Sequence, residues 1–469
     1  MCVLAGIFLF NQLCLAQAMQ ENTLYHEQYR PQFHFSAQLG WINDPNGLVY
    51  FDGEYHLFYQ GRTDSLEQTP VMSWGHAVSP DLVHWKQLPV ALHPDDHDGW
   101  IWSGSAVVDW KNTSGFGTPG HPPLVAMYTA AKDPFAQAIA YSNDRGRTFT
   151  KYAGNPVLAH IAGSNRDPHV IWHEPTRQWI VVLYKDVDNT FCIFSSPNLK
   201  EWTHLQDFEM PGCIECPDFF PIALDGNASQ IKWVFTAANG HYLVGDFDGR
   251  HFAPTQEVRQ VDFGRNFYAV QSYSDIPASD GRRIQIAWMR GGNYPGMPFN
   301  QQMSFPAELT LRTTSDGPRL FRNPVHEINL LHISQRKWAD TPISPATSLR
   351  ADIPGDTMEI RADIEISNAD SVALSILGQT ISYDAKTKIL SALGDAPLTL
   401  TDGHLRLTIL VDRTSIETFA NDGRVSLTSC YLPDASENAL SITARGGAAR
   451  LRSLEIYRLK SIWPASASR

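Results

Sequence analysis

From Leu48 to about Leu320 the chain is a succession of short runs rich in Val, Ile, Tyr, Phe and Trp, broken by Gly, Pro, Asn and Asp. Gly104–Val108, Val125–Tyr128, Trp179–Tyr184, Lys232–Ala237 and Arg283–Met289 are such runs. Almost nothing has helical period, so the pattern predicts an all-β domain. After Leu320 the pattern changes. Residues 324–345 read as a linker with one short helix at Val325–Leu331. From about Thr347 onward several stretches alternate apolar and polar residues, as in Met358–Ile364, Leu405–Leu410 and Ser415–Phe419, with turns at Asp402-Gly403-His404 and Asn421-Asp422-Gly423. This predicts a second, antiparallel unit of two packed sheets.

A weak repeat organises the first part. Ser79-Pro80-Asp81-Leu82-Val83-His84-Trp85 recurs as Ser196-Pro197-Asn198-Leu199-Lys200-Glu201-Trp202, and Ser142–Phe149 lies between them, with starts 63 and 54 residues apart. Each is a Ser-x-(Asp/Asn) turn followed by an aromatic residue. A period near this length predicts propeller blades, five of them in about 290 residues. A β-sandwich with coincidental turns is the alternative.

Composition is that of an ordinary globular chain, with 43% hydrophobic and 18% charged residues. At 469 residues there is room for two or three domains. The net charge of -12 argues against nucleic acid or an anionic membrane as partner. Residues 2–16 are apolar with few polar breaks and Ala16-Gln17-Ala18 is a small-x-small cleavage sequence, which predicts a signal peptide at 1–18 and a secreted or periplasmic protein without a transmembrane anchor. Four cysteines follow it: Cys192, Cys213, Cys216 and Cys430. None repeats a metal-ligand spacing. The sequence fits a monomer or a homodimer.

Three carboxylates sit in distinctive settings. Asp44 lies in Trp41-Ile42-Asn43-Asp44-Pro45-Asn46-Gly47, Asp167 in Asn165-Arg166-Asp167-Pro168-His169, and Glu215 in Cys213-Ile214-Glu215-Cys216-Pro217-Asp218-Phe219. Pro45 and Gly47 predict a tight bend at the head of a strand, which is either a plain turn or a turn that presents an acid. The three acids are 123 and 48 residues apart, about two blades and one blade. Equivalent ends of successive blades converge on a propeller's central channel, so the acids are expected to meet in one funnel. Such a group suits glycoside chemistry: one carboxylate attacks the anomeric carbon and a second carboxyl, kept protonated by its surroundings, protonates the leaving oxygen. Glu215 is placed in a partly apolar setting, and Arg166 is expected to keep its neighbour Asp167 ionised. Trp41, Trp74, Trp102 and Trp288 are candidates to cap sugar rings, although Trp74 and Trp288 suit a core equally well. Asn43, Gln60, Ser103 and Ser105 are candidates to bind hydroxyls.

Taken together, Trp41–Gly47, Trp102-Ser103-Gly104-Ser105-Ala106-Val107-Val108, Arg166-Asp167-Pro168 and Glu215-Cys216-Pro217, in this order, resemble the family 32 glycoside hydrolases, the invertases, inulinases, levanases and related fructosidases. The resemblance covers Tyr29 to about Tyr457. It implies a five-bladed β-propeller catalytic domain at 29–323, a linker at 324–345 and a β-sandwich domain at 346–469. It also implies Asp44 as nucleophile, Glu215 as acid/base and Asp167 as transition-state stabiliser, with Asn43, Gln60, Trp74, Ser105 and Arg166 lining a fructose subsite. No metal or organic cofactor is implied. The segments Gly104–Phe116 and Gly292–Pro306 resemble those of exo-acting microbial fructan hydrolases, with a fructan or fructo-oligosaccharide as substrate; an invertase or a fructosyltransferase is the alternative. Two departures stand out: Ile42 replaces a frequent Met, and Arg62–Met72 lacks the aromatic-Gly pair that usually precedes Trp74.

Overall fold

The computed structural model describes residues 24–353, 355–433 and 439–464. The expected signal peptide at 1–18 lies outside them. Five four-stranded antiparallel units follow one another in the first part. Blade I contains Gly40–Phe51, Glu54–Arg62, Ser73–Ser79 and Lys86–Leu92; blade II contains Trp100–Val108, Leu124–Ala131, Ala136–Ser142 and Thr150–Lys151. Blade III contains Arg166–His173, Gln178–Lys185, Thr190–Ser196 and Thr203–Glu209. Blade IV contains Asp218–Leu224, Asn227–Thr236, His241–Phe247 and Phe252–Pro254, and blade V contains Phe267–Ser272, Arg283–Met289, Ala307–Thr314 and Gly317–Pro324. The expected all-β architecture, a five-bladed β-propeller followed by a β-sandwich, is what the chain adopts.

The Ser-x-(Asp/Asn) repeats are the turns between the third and fourth strands of blades I to III. In each, the acidic or amide side chain accepts from the backbone two to four residues on: Asp81 from His84 N at 2.8 Å, Asn198 from Lys200 N at 3.0 Å, and Asp144 from Thr148 N at 2.9 Å. Blade IV uses Asp248 in the same way, accepting from His251 N at 2.7 Å. These side chains stand in for strand hydrogen bonds where the chain reverses.

Apolar clusters fill the gaps between blades. Phe58, Trp74, Ala106 and Tyr128 pack between blades I and II. Val107, Ile139, Val181 and Cys192 pack between II and III, Phe191, Phe219 and Phe235 between III and IV, and Phe220, Tyr242, Leu309 and Leu320 between IV and V. Each such side chain contributes about 1.5–3 kcal/mol by leaving water, which makes the wedge between blades the main stabilising contact. The ring closes between blades V and I. Phe299–Asn300, from the connection inside blade V, pairs in parallel with Gly40 and Trp41, and Tyr50 N donates to Ser274 O at 3.0 Å.

Residues expected to form a linker, 324–345, do more than connect. His326–Leu331 is a 3-10 helix, and His332–Ile343 is an edge strand of the sandwich, paired throughout with Ala449–Leu459. Its mostly exposed, charged side chains hid it from the hydrophobic pattern. The sandwich consists of two six-stranded sheets around one apolar core that includes Ile360, Leu374, Leu390, Ile409, Leu427 and Ile456. Ser415–Ala420 is buried at every position, because one face meets this core and the other meets the propeller.

Candidate active site

The inner strand of each blade begins at the same end of the central channel, and each of the five contributes to one pocket there. The pocket has a volume of about 420 Å³ and is lined by Asn43, Asp44, Gln60, Trp102, Arg166, Asp167, Glu215, Cys216, Tyr268, Trp288 and Arg290, together with Gln68, Thr69, Pro70 and Met72. The three carboxylates read from the sequence therefore come together.

The local backbone that presents them is unusual. Trp41–Gly47 is no reversing turn: it lies within the twelve-residue strand Gly40–Phe51, whose register slips between Ile42 and Pro45 and again between Asn46 and Val49. The bulges absorb Pro45 and swing Asp44 toward the channel. Gly47 is required there, because its φ is 53° and a Cβ would come within 2.7 Å of the Phe58 ring. Asp167, Glu215 and Cys216 have φ of 63°, 57° and 42°. Left-handed conformations at non-glycine residues cost about 1–3 kcal/mol each and cluster where a side chain must be aimed.

Asp44 is held from two sides. Asn43 Nδ2 donates to its Oδ1 at 3.1 Å and Ser103 Oγ to its Oδ2 at 2.6 Å. Gln60 Nε2 in turn donates to Ser103 Oγ. Burial raises the Asp44 carboxyl above the usual range, against the pull of these hydrogen bonds and with help from the Glu215 charge. Asp167 Oδ2 accepts from Cys216 N at 3.0 Å, and the Cys216 thiol lies 3.6 Å from Asp167 Oδ2 and 3.7 Å from Asp44 Oδ2. Burial and the three carboxylates push that thiol well up, so it stays a neutral S–H.

Arg166 behaves differently from the expectation. Its Nη2 donates to Glu215 Oε1 at 2.8 Å and its Nη1 lies 3.3 Å from Asp186 Oδ2, while its Nε is 3.9 Å from Asp167. Burial pushes the Asp167 carboxyl up to about 7 despite Arg166, with the Glu215 and Asp44 charges adding to the rise. Arg166 thus favours the ionised form but offsets the rise only in part: its closest bonds go elsewhere and two like charges face the carboxyl. Glu215 Oε2 accepts from Tyr268 Oη.

Several sequence candidates lie outside the pocket. Trp74 is fully buried between blades I and II, and its Nε1 donates to Trp102 O at 2.9 Å. It sits on a third strand, away from the channel, and braces the strand that carries Trp102 and Ser103. Ser105 is buried and accepts from Val170 N at 2.9 Å, tying blade II to blade III. Ser103 acts through Asp44 and lies behind the pocket wall. Trp41 lines a neighbouring cavity of about 280 Å³, donates to Asn43 Oδ1 at 3.2 Å and meets Trp288 edge-on at 6.2 Å. Trp288 lines the pocket but is almost wholly buried, its Nε1 on Gln301 Oε1 at 2.9 Å. Trp102 is the half-exposed ring at the lip, pinned by Nε1 to Pro70 O at 2.9 Å and edge-on to Phe135 at 5.0 Å.

The segment Arg62–Met72 closes the pocket beside Trp102 through Gln68, Thr69, Pro70 and Met72 in place of the missing aromatic residue. Arg62 steadies it with bonds of 2.8 Å to Asp64 and 2.7 Å to Thr69. Tyr268 and Arg290 escaped the sequence reading. The signal was present, since Tyr268 lies 53 residues after Glu215, one more blade along.

With three carboxylates against two guanidiniums, Arg166 and Arg290, the pocket keeps a formal excess of negative charge. It disfavours anionic substrates and favours a reaction in which positive charge develops, as at an anomeric carbon losing its leaving group. A β-propeller with this funnel and a β-sandwich appended is the architecture of a class of glycoside hydrolases, and this protein is one. The chain belongs to glycosyl hydrolases family 32: the N-terminal domain of that family matches residues 34–324 and its C-terminal domain residues 327–458. A levanase of Bacillus subtilis (strain 168) is 41% identical over 492 residues, covering 94% of this chain and 72% of that protein. An extracellular exo-inulinase of Aspergillus ficuum is 32% identical over 519 residues, covering 94% of this chain and 96% of that one. The crystal structure of the exo-inulinase from Aspergillus awamori superimposes with a TM-score of 0.85 at 30% identity, covering 94% of this chain and 100% of that one.

Proposed function

We propose that the protein is a retaining exo-β-fructosidase that removes terminal non-reducing β-D-fructofuranosyl residues from fructans such as levan and inulin, and cleaves sucrose as a lesser substrate. The observation that carries the reading is the convergence of Asp44, Asp167 and Glu215, from blades I, III and IV, on one pocket walled by residues 68–72 and Trp102. The levanase and exo-inulinase relatives supply the substrate class.

In this reading an Asp44 oxygen attacks C2 of the fructosyl unit while Glu215 gives a proton to the departing glycosidic oxygen. The C2–O bond breaks as the Asp44–C2 ester forms. Water then attacks C2, Glu215 takes its proton, and Asp44 leaves as carboxylate. Asp167 receives the sugar hydroxyls beside the developing charge. Arg166 orients Glu215, and Asn43 and Ser103 orient Asp44. Two inversions at C2 retain its configuration.

The test is product analysis. Free fructose as the first product from both levan and inulin supports the reading. A disaccharide product, as the name of a levanbiose-producing levanase relative at 31% identity describes, would replace it with internal or two-unit cleavage. Glucose release from sucrose without matching fructose would favour a fructosyltransferase. Methanol added during turnover should give methyl β-fructofuranoside if configuration is retained. The expected leader and the extracellular relative support export of this chain, and N-terminal sequencing of the exported protein tests it. Among the described residues no helix is long and apolar enough to cross a membrane.

A further inference from the structure

Blade V contributes no carboxylate to the pocket, yet its Tyr268 meets Glu215 and its Arg290 packs on Tyr268. Tyr268 is the second residue of the inner strand Phe267–Ser272, and its Oη donates to Glu215 Oε2. Arg290 follows the neighbouring strand directly, and its guanidinium lies over the Tyr268 ring at 4.4 Å and over Trp288 at 5.8 Å. Its backbone is fixed by Asn266 Nδ2, which donates to Arg290 O at 2.6 Å. Arg290 is exposed at the pocket mouth, and among the described residues no carboxylate lies within ion-pair distance of it.

We propose that Tyr268 is the positioning residue that decides which oxygen of Glu215 carries the transferred proton, and that Arg290 locks the phenol in place. The inference rests on the reading of Glu215 as acid/base. Its argument is one of donor inventory. Glu215 Oε1 is bonded to Arg166 Nη2 at 2.8 Å, and a guanidinium can only donate. A proton on Oε1 would make it a weaker acceptor for that charged donor and forfeit part of the bond. The proton of the acid form therefore belongs on Oε2. The partner of Oε2 is a phenol, which donates to one lone pair of that oxygen and leaves the other to carry the proton toward the leaving oxygen. Tyr268 can thus hold Oε2 in both protonation states, while Oε1 stays on Arg166. The charged and titratable groups facing this pair are Arg166, Asp167, Asp44, Cys216 and Arg290, with Asp186 behind Arg166. Burial and the Glu215 hydrogen bond keep the Tyr268 phenol protonated, so it serves as a hydrogen-bond partner without itself giving up the proton.

The test compares leaving groups. With a fructan or sucrose, whose leaving oxygen must be protonated, Tyr268→Phe should lower kcat/KM by about tenfold to a hundredfold, the range for a hydrogen bond to a charged group. With an activated aryl β-fructofuranoside, which departs without a proton, the loss should be threefold or less. The alkaline limb of the kcat/KM profile should move to higher pH, because a donor to the ionised carboxylate is gone. Arg290→Met should change both readouts in the same direction by a smaller factor, and Arg290→Lys should restore most of the loss. Since Arg290 is exposed, these two variants test the proposal even if Tyr268→Phe folds poorly. Equal losses on both substrates with an unmoved alkaline limb would overturn it. Glu215→Ala separates the two levels of argument. If that variant shows no leaving-group dependence, the acid/base reading fails; if it does and Tyr268→Phe does not, only the role of Tyr268 fails.

Discussion

The protein holds two sets of three carboxylates, and they behave in opposite ways. At the pocket, Asp44, Asp167 and Glu215 face two guanidiniums, Arg166, which pairs with Glu215, and Arg290, which among the described residues forms no ion pair. At the junction of propeller and sandwich, Asp262, Asp412 and Glu417 face Arg322 and His34, all fully or almost fully buried. The junction acids are richly bonded. Asp412 accepts from Gln32 N, Phe33 N and Arg413 N, and from His34 Nδ1 at 2.9 Å. Glu417 accepts from His34 Nε2 and Phe305 N, both at 2.8 Å, and Asp262 accepts from Gly264 N, Ser426 Oγ and Thr428 Oγ1. Burial raises Asp412 and Glu417, but the His34 bonds outweigh it and both end below the usual carboxylate range. Burial likewise pulls His34 down, and its two carboxylates outweigh that and lift it to about 9. In the pocket, burial wins instead and Asp44 and Asp167 are pushed up. Asp167 is buried like the junction acids while Asp44 and Glu215 are half-buried, and Asp44 and Asp167 have fewer donors than Asp412, Glu417 and Asp262. The junction uses its charges to join two domains, and the pocket keeps its charges short of partners and so reactive.

The sharpest way to break this contrast is to remove one acid from each set. Asp44→Asn should lower kcat by about a thousandfold or more while changing the urea midpoint little, because a nucleophile has no substitute. Glu417→Ala should do the reverse. It leaves His34 and Arg322 buried with lost partners, at about 3–5 kcal/mol of stability. A midpoint shift worth under about 1 kcal/mol would show that the junction charges are not structural. The pH dependence carries the same signature. The folded pKa of His34 lies above its ordinary 6.5, so its contribution is complete below 6.5 and is lost as pH rises through about 9. Stability of the wild-type protein should fall across that window, and Glu417→Ala should flatten the fall.

Much of this division was legible in the chain, and the illegible parts have physical reasons. The Ser-x-(Asp/Asn) turns marked blades because a side chain must replace backbone hydrogen bonds where strands reverse. The three acids were marked by order and spacing. Trp74, a candidate both for a sugar-facing ring and for the core, belongs to the core, because strand position within a blade decides whether a side chain meets the channel or the next blade and leaves no trace in local sequence. Ser105 failed for the related reason that neighbouring inner strands compete for the same hydroxyl. His332–Ile343 was hidden by an edge strand's exposed charges. The states of Asp167 and Arg166 could not be read from adjacency, since Asp186 and Glu215, which draw the guanidinium away, lie 20 and 49 residues further on.

A smaller effect tests the electrostatic half of the comparison. The folded pKa of Asp167, about 7, lies above the ordinary value near 4, so the folded protein holds a proton that the unfolded chain releases. Stability is therefore lost as pH rises from about 4 to about 7, and the cost stays in place above that. Asp167→Asn removes the charge and keeps an oxygen for Cys216 N. It should raise stability by about 2–4 kcal/mol at pH 8 and by almost nothing at pH 4, while abolishing most activity. Unfolding midpoints at the two pH values check it. An equal gain at both would mean that packing and not charge was relieved.

The smallest expected effect concerns the weakest contact in the pocket. The Cys216 thiol sits between Asp44 and Asp167 at 3.7 and 3.6 Å, where a sulfhydryl is a poor donor. Its backbone N–H, at 3.0 Å from Asp167, is the stronger bond and survives any side-chain change. Cys216→Ala should therefore lower kcat/KM by about twofold to fivefold, the equivalent of about 0.5–1 kcal/mol for a weak hydrogen bond. A loss of fiftyfold would mean that the pocket acids lean on their neighbours as heavily as Asp412 and Glu417 lean on His34. The two sets would then differ in exposure and not in how their charges are satisfied.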